Sequence, residues 1–216
     1  MRYPPLLIVM FLTMLLKPFT QHFGSFDLPG GVFLLIAFLA IIYAFRGTLR
    51  LAICLTFLGA ISVMLRFAAD HWTLTNLEIV SQASSLIAMI LVIAAILSEV
   101  LRARSASSDL VIGAVCLYLV IGLAWTFLYY SLYLLAPGSI FVSPGSLTVT
   151  ASESKFTEVM YFSLSALTTI GSSGEQPLTT MARQLAVVES AMGQLYLAVL
   201  ISRLVGFSTA SDTTAN

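Results

Sequence analysis

Residues 167–177 read LTTIGSSGEQP, a segment almost bare of large side chains between an amphiphilic run, Phe156 to Thr169, and a long apolar run, Arg183 to Phe207. The first run is too short and too polar to cross a bilayer, yet too apolar for a free loop, so it reads as a re-entrant half-helix. Non-helical backbone at membrane depth is tolerated only where protein buries it or where it lines an aqueous path. A glycine-and-serine stretch in that place therefore reads as pore lining. The half-helix ends in Thr168, Thr169, Ile170 and Gly171. Its C-terminal carbonyls carry partial negative charge, so several copies aimed at one axis would stabilise a cation there.

The rest of the chain fits a membrane setting. Of 216 residues, 59% are hydrophobic and 9% charged, against roughly a quarter charged in a soluble domain. The formal net charge is zero and the basic residues are scattered singly, which excludes the basic stripe that nucleic-acid binding requires. Cys54 and Cys116 lie inside apolar runs, where a free thiol behaves as a small hydrophobe. Neither they nor His22 and His71 have metal-ligand spacing, so no metal site and no cofactor are expected beyond permeant cations.

An apolar helix needs roughly 20 residues to span a bilayer. Six runs qualify as candidates: Pro5 to Phe19, Leu28 to Phe45, Leu49 to Ala68, Leu77 to Leu101, Leu110 to Leu135 and Arg183 to Phe207. The first is short and resembles a signal peptide in its Arg2 and its apolar Leu6 to Leu16, but no small-x-small cleavage site follows, which favours a retained helix. The expected fold is an all-α integral membrane protein with six transmembrane helices, the re-entrant pore helix and filter loop lying between helices five and six. Residues 1–108 form a four-helix region, 109–207 the pore module, and 208–216 a small polar, disordered tail.

Orientation follows the basic residues. With the N-terminus inside, Arg2, Arg46, Arg50, Arg102, Arg104 and Arg203 are cytoplasmic, against Lys17, Arg66, Lys155 and Arg183 outside. Both termini are then cytoplasmic. The fourth run carries no Lys or Arg in its apolar body, so an arginine-rich voltage sensor is not expected. Its Ser81, Gln82, Ser84 and Ser85 read as hydrogen-bonding groups between helices.

Residues 161–207, YFSLSALTTIGSSGEQPLTTMARQLAVVESAMGQLYLAVLISRLVGF, resemble the pore module of potassium channels: pore helix, filter, turn and inner helix. The likeness extends back to GAVCLYLVIGLAWTFLY at 113–129 and is greatest to bacterial members with six helices per subunit. It implies a homotetramer in the bacterial inner membrane, surrounded by lipid, that passes monovalent cations. In that family the filter reads T-V-G-Y-G-D. Thr169, Ile170 and Gly171 match its first three positions, whereas Ser172, Ser173 and Gly174 replace the Tyr, Gly and Asp that follow. A second register stays open, in which Gly174 and Glu175 serve as the Gly-Asp pair. In either register the bracing tyrosine ring is missing, which implies a filter with altered outer sites and relaxed discrimination between potassium and sodium. The alternative is a non-conducting relative with a regulatory or structural role.

Three residues of the last helix carry a sharp and a bland reading side by side. Glu189, an ionisable group about two turns below the outer end, either sits behind the filter on the pore helix or is a buried carboxyl with a packing role. Gly193 stands where the family has a hinge glycine, but glycines in membrane helices also serve close packing. Gln194, Leu197 and Ile201 share one face, at i, i+3 and i+7, and would line the central cavity, unless Gln194 only bonds a neighbouring helix. An enzyme is not expected. Gly171-Ser172-Ser173-Gly174 lacks the G-x-S-x-G spacing of serine hydrolases, and no internal repeat supports a transporter.

Overall fold

A computed structural model describes residues 3–12, 49–72, 75–103, 107–136, 152–171 and 177–213. These residues form six helices: α1 (4–12), α2 (Leu49–Trp72), α3 (Thr75–Arg102), α4 (Ser108–Leu135), α5 (Ser152–Leu167) and α6 (Thr180–Thr213). The expected crossing from Leu28 to Phe45 lies outside the described residues. Three of the described helices contain stretches long and apolar enough to cross a membrane: Asn76–Arg102, Ser108–Leu135 and Thr180–Phe207. In α2 the apolar stretch among the described residues is Ile53–Leu65.

Helix α4 is the centre of the packing, lying against α3, α5 and α6, while α2 packs on α3. Its sequence explains the position: it is apolar on every side, and a helix of that kind belongs in an interior. Buried residues run along its whole length, from Gly113 and Cys116 through Val120 and Ala124 to Tyr129 and Tyr130. Ser107 caps its start by accepting from Leu110 N at 3.2 Å. Ala136 closes the helix, its amide donating to Leu132 O at 3.0 Å, and Pro137 follows in the sequence.

One apolar core joins both halves of the chain. Leu55 of α2, Met89, Val92 and Ile96 of α3, and Leu117 and Val120 of α4 belong to it, together with Tyr3, Leu6 and Met10 of the N-terminal segment. Tyr3 is the anchor of that segment. Its ring lies against Gly113, where an added Cβ would meet it at 3.0 Å, and its hydroxyl donates to Glu99. The Tyr3 amide is 3.4 Å from Asp109 Oδ1. The N-terminal segment, the end of α3 and the start of α4 thus share one end of the bundle. At the other end Tyr130 donates to Glu78 Oε1 at 2.8 Å, and Lys155 Nζ stands 5.2 Å from the centre of the Tyr133 ring.

Two expectations change. The last helix does not stop at Phe207: residues 208–213 remain helical, since no proline or further glycine breaks the run after Gly206, so the expected disordered tail is helical through Thr213. The polar side chains of the fourth run also divide. Ser81 donates across to Ser62 O at 2.9 Å and Ser84 meets Ser62 Oγ at 2.7 Å, so these two do join α2 and α3. Ser85 instead bonds back to Ser81 O within its own helix, and buried Gln82 Oε1 has no hydrogen-bond partner among the described residues.

Candidate functional site: the end of α5 and its cradle

A helix ends with four carbonyls that no further turn of that helix can satisfy. At the end of α5 the chain supplies a donor for each. Leu164 O accepts from Thr168 N at 3.0 Å and from Thr168 Oγ1 at 2.7 Å. Ser165 O accepts from Gly171 N at 3.2 Å. Ala166 O accepts from Thr169 N at 3.0 Å and from Ser190 Oγ of α6 at 2.8 Å. Leu167 O accepts from the Tyr118 hydroxyl of α4 at 3.1 Å. The half-helix is therefore held at its tip by side chains of both neighbouring helices.

The close approach of α6 depends on Gly193. A Cβ at this position would sit 2.2 Å from Leu167 O, a backbone atom that cannot swing aside. Glu189, Ser190, Gly193 and Gln194 fall at i, i+1, i+4 and i+5, one face of a helix, and each of them touches α5 or the residues just after it. Ser163 Oγ bridges Glu189 Oε1 at 2.6 Å and Gly122 O at 2.9 Å. Glu189 is fully buried. The Tyr129 hydroxyl approaches the same carboxyl, but neither it nor Glu189 Oε2 has a hydrogen bond of normal geometry among the described residues. Gln194 Nε2 donates to Thr169 Oγ1 at 2.9 Å.

Past the helix end the backbone changes hand at alternate residues. Thr169 has φ 59° and Gly171 has φ 77°, whereas Ile170 between them is not left-handed. Glycine takes a positive φ freely, but for a β-branched residue it is an outlier. Strain of this kind persists only where the surroundings over-determine it. The hydroxyl of Thr169, held between Gln194 and Thr168 O at 2.7 Å, supplies part of that constraint. Thr169, Ile170 and Gly171 are all exposed in the single chain, Ile170 by 80%.

The residues singled out in the sequence fall into three groups. Thr168, Thr169, Gly171, Glu189, Gly193 and Gln194 come together at the tip of α5. Leu197 and Ile201 lie further down α6, on a surface that the chain leaves bare. That bare surface is broader than the expected cavity face, because Val188, Leu195 and Val199 are exposed as well. Ser172, Ser173, Gly174 and the choice of filter register lie outside the described residues. For Gly193 the packing against Leu167 O supplies the close-packing reason that the sequence left open beside a hinge. Arg183 donates from Nε to Pro177 O at 3.0 Å, so it ties down the turn before α6. Tyr118, Ser163 and Ser190 were not singled out by sequence.

These features are those of an integral membrane protein in which a short helix, α5, is held between two helices, α4 and α6, that are long and apolar enough to cross a membrane. A family model described as "Ion channel" matches residues 113–210, a stretch that begins in α4 and ends in α6. The match supports an ion-channel family for this chain, and an ion channel family is not a class of enzyme. No curated protein and no solved structure matches the chain.

Proposed function

We propose that the chain is the subunit of a potassium-channel-like cation channel, in which four copies place their LTTIGSSGEQP segments around one central pore. The observation that carries this reading is the alternation of backbone hand at Thr169, Ile170 and Gly171, directly after a half-helix whose terminal carbonyls are all engaged. In this reading the positive φ at Thr169 and Gly171, on either side of Ile170, turns successive carbonyls to the same side. A row of such carbonyls, with the Thr169 hydroxyl, replaces the water around a monovalent cation as it enters the filter.

The need for other copies has its own support. Only 11% of the apolar window in α6 is buried by the rest of its chain, against 50% in α4. Lipid covers some of that surface, but Gln194 and the strained filter backbone stand on the same bare side. Backbone of this kind requires protein or water around it, not lipid. In this reading Leu197 and Ile201 line the cavity below the filter, and both termini are cytoplasmic in a bacterial inner membrane.

The Ser172, Ser173 and Gly174 substitutions in the family motif favour relaxed selectivity. They also sustain the second reading, a relative that has given up conduction and serves other membrane subunits. Cation flux from liposomes separates the two. Native protein is expected to pass both potassium and sodium, and the triple change Ser172→Tyr, Ser173→Gly, Gly174→Asp is expected to raise the preference for potassium. A silent native protein whose triple variant conducts establishes the second reading. Silence from both, in protein that assembles as a tetramer, removes the pore.

A further inference from the structure

The contact between Gln194 and Thr169 carries more than support for the loop. Thr169 Oγ1 stands 2.9 Å from Gln194 Nε2 and 2.7 Å from Thr168 O. A hydroxyl has one proton and two lone pairs. The carbonyl of Thr168 is only an acceptor, so it takes the proton, and the amide must be the donor in the other contact. That fixes the orientation of the Gln194 amide, nitrogen toward Thr169. One lone pair is then left on Thr169 Oγ1, and Thr169 is on the exposed side of the chain.

We infer that Gln194 is a positioning residue for the innermost cation site, holding the Thr169 hydroxyl so that its one remaining lone pair serves a dehydrated monovalent cation. The inference rests on the pore reading above and adds to it how one ligand is set. Thr169 needs such a constraint because a left-handed backbone is an outlier for a β-branched residue and is held only where its surroundings over-determine it. Two hydrogen bonds from opposite directions fix the rotamer. Gln194 is exposed in the single chain, so replacing it with an apolar residue of similar length leaves the core of the subunit as it is.

A double-mutant cycle on potassium flux from liposomes tests this, using native protein, Gln194→Met, Thr169→Ala and the pair. Gln194→Met is expected to raise the half-saturating potassium concentration about fivefold, the equivalent of one hydrogen bond. In the Thr169→Ala background the same change is expected to do nothing, while in Thr169→Ser, which keeps the hydroxyl, it acts as in the native chain. The potassium-induced rise in melting temperature, read over the same set in detergent, covers a Thr169→Ala protein that binds without conducting. A shift of equal size with and without the hydroxyl, or none in the native background, overturns the inference and leaves the pore standing. Native protein that neither conducts nor is stabilised by potassium overturns the pore reading and this inference with it.

Discussion

Gly193 of α6 lies so close to Leu167 of α5 that a Cβ added to it would stand 2.2 Å from the Leu167 carbonyl oxygen. The same carbonyl is fixed from its other side by the Tyr118 hydroxyl at 3.1 Å. Three helices therefore meet at one oxygen, immediately before the residues that alternate in hand. Any displacement of α6 at this level is transmitted to Thr168 and Thr169 through backbone atoms, which cannot yield as a flexible side chain would.

Replacing Gly193 with alanine is expected to be costly for this reason. Forcing a methyl group into a packed contact costs about 1–3 kcal/mol, and here it must move either α6 or the tip of α5. Gly206 provides the control, since nothing lies within 4 Å of its added Cβ. Gly206→Ala gains helix propensity of up to about 1 kcal/mol. Thermal unfolding in detergent is expected to show a lower melting temperature for Gly193→Ala and an unchanged or higher one for Gly206→Ala. Equal behaviour of the two would mean that α6 and α5 are not in contact at this carbonyl.

The pair Ser163 and Glu189 leads to a prediction of a different kind. Removing a hydrogen-bond partner from a buried polar group costs about 1–3 kcal/mol, because the group left behind has already given up water. Ser163→Ala leaves the fully buried Glu189 without the donor that lies 2.6 Å away. Glu189→Gln keeps a side chain that bonds the serine, and is expected to be milder. When Ser163→Ala is made on top of Glu189→Leu, it is expected to cost less than on its own, since no carboxyl is stranded. Melting temperatures of the four proteins measure the coupling, and additive losses would show that the two side chains do not support one another.

How far the site was legible in the sequence depends on where each partner lies. LTTIGSSGEQP marks by its own composition where α5 ends, and Glu189 stands out because an ionisable residue inside an apolar run is rare. Gln194 is visible as a polar residue on a helix face, where the sequence leaves the cavity and a bond to a neighbouring helix both open, but Thr169 as its partner follows only from the packing of α5 on α6. Ser163, Ser190 and Tyr118 gave no signal, because serine and tyrosine are ordinary in such helices. Their roles depend on the relative register of α4, α5 and α6, which no single helix encodes. The same limit applies to Tyr3, whose burial against Gly113 and hydroxyl bond to Glu99 link residues far apart in the chain.

The opposite end of α6 supports the third prediction. Arg203 donates from one guanidinium nitrogen to Leu101 O at 3.2 Å and to Ala103 O at 3.0 Å, closing the C-terminus of α3. Cations at that end of a helix are favoured by the unpaired carbonyls and the helix dipole. Its guanidinium carbon also lies 5.4 Å from the centre of the Phe207 ring, which keeps the arm extended along α6. This end of α6 is thereby fastened to the C-terminus of α3. Arg203→Ala is expected to cost about 1 kcal/mol, a value kept low by the exposure of the contact. Arg203→Lys should recover part of it, since a single ammonium lacks the planar fork. The partners are carbonyls and not carboxylates, so raising the salt concentration should screen the contribution of the helix dipole but leave most of the difference between native and Arg203→Ala melting temperatures in place. If 1 M salt lowers the native melting temperature to that of the variant, an ion pair and not the closure of α3 is what Arg203 provides.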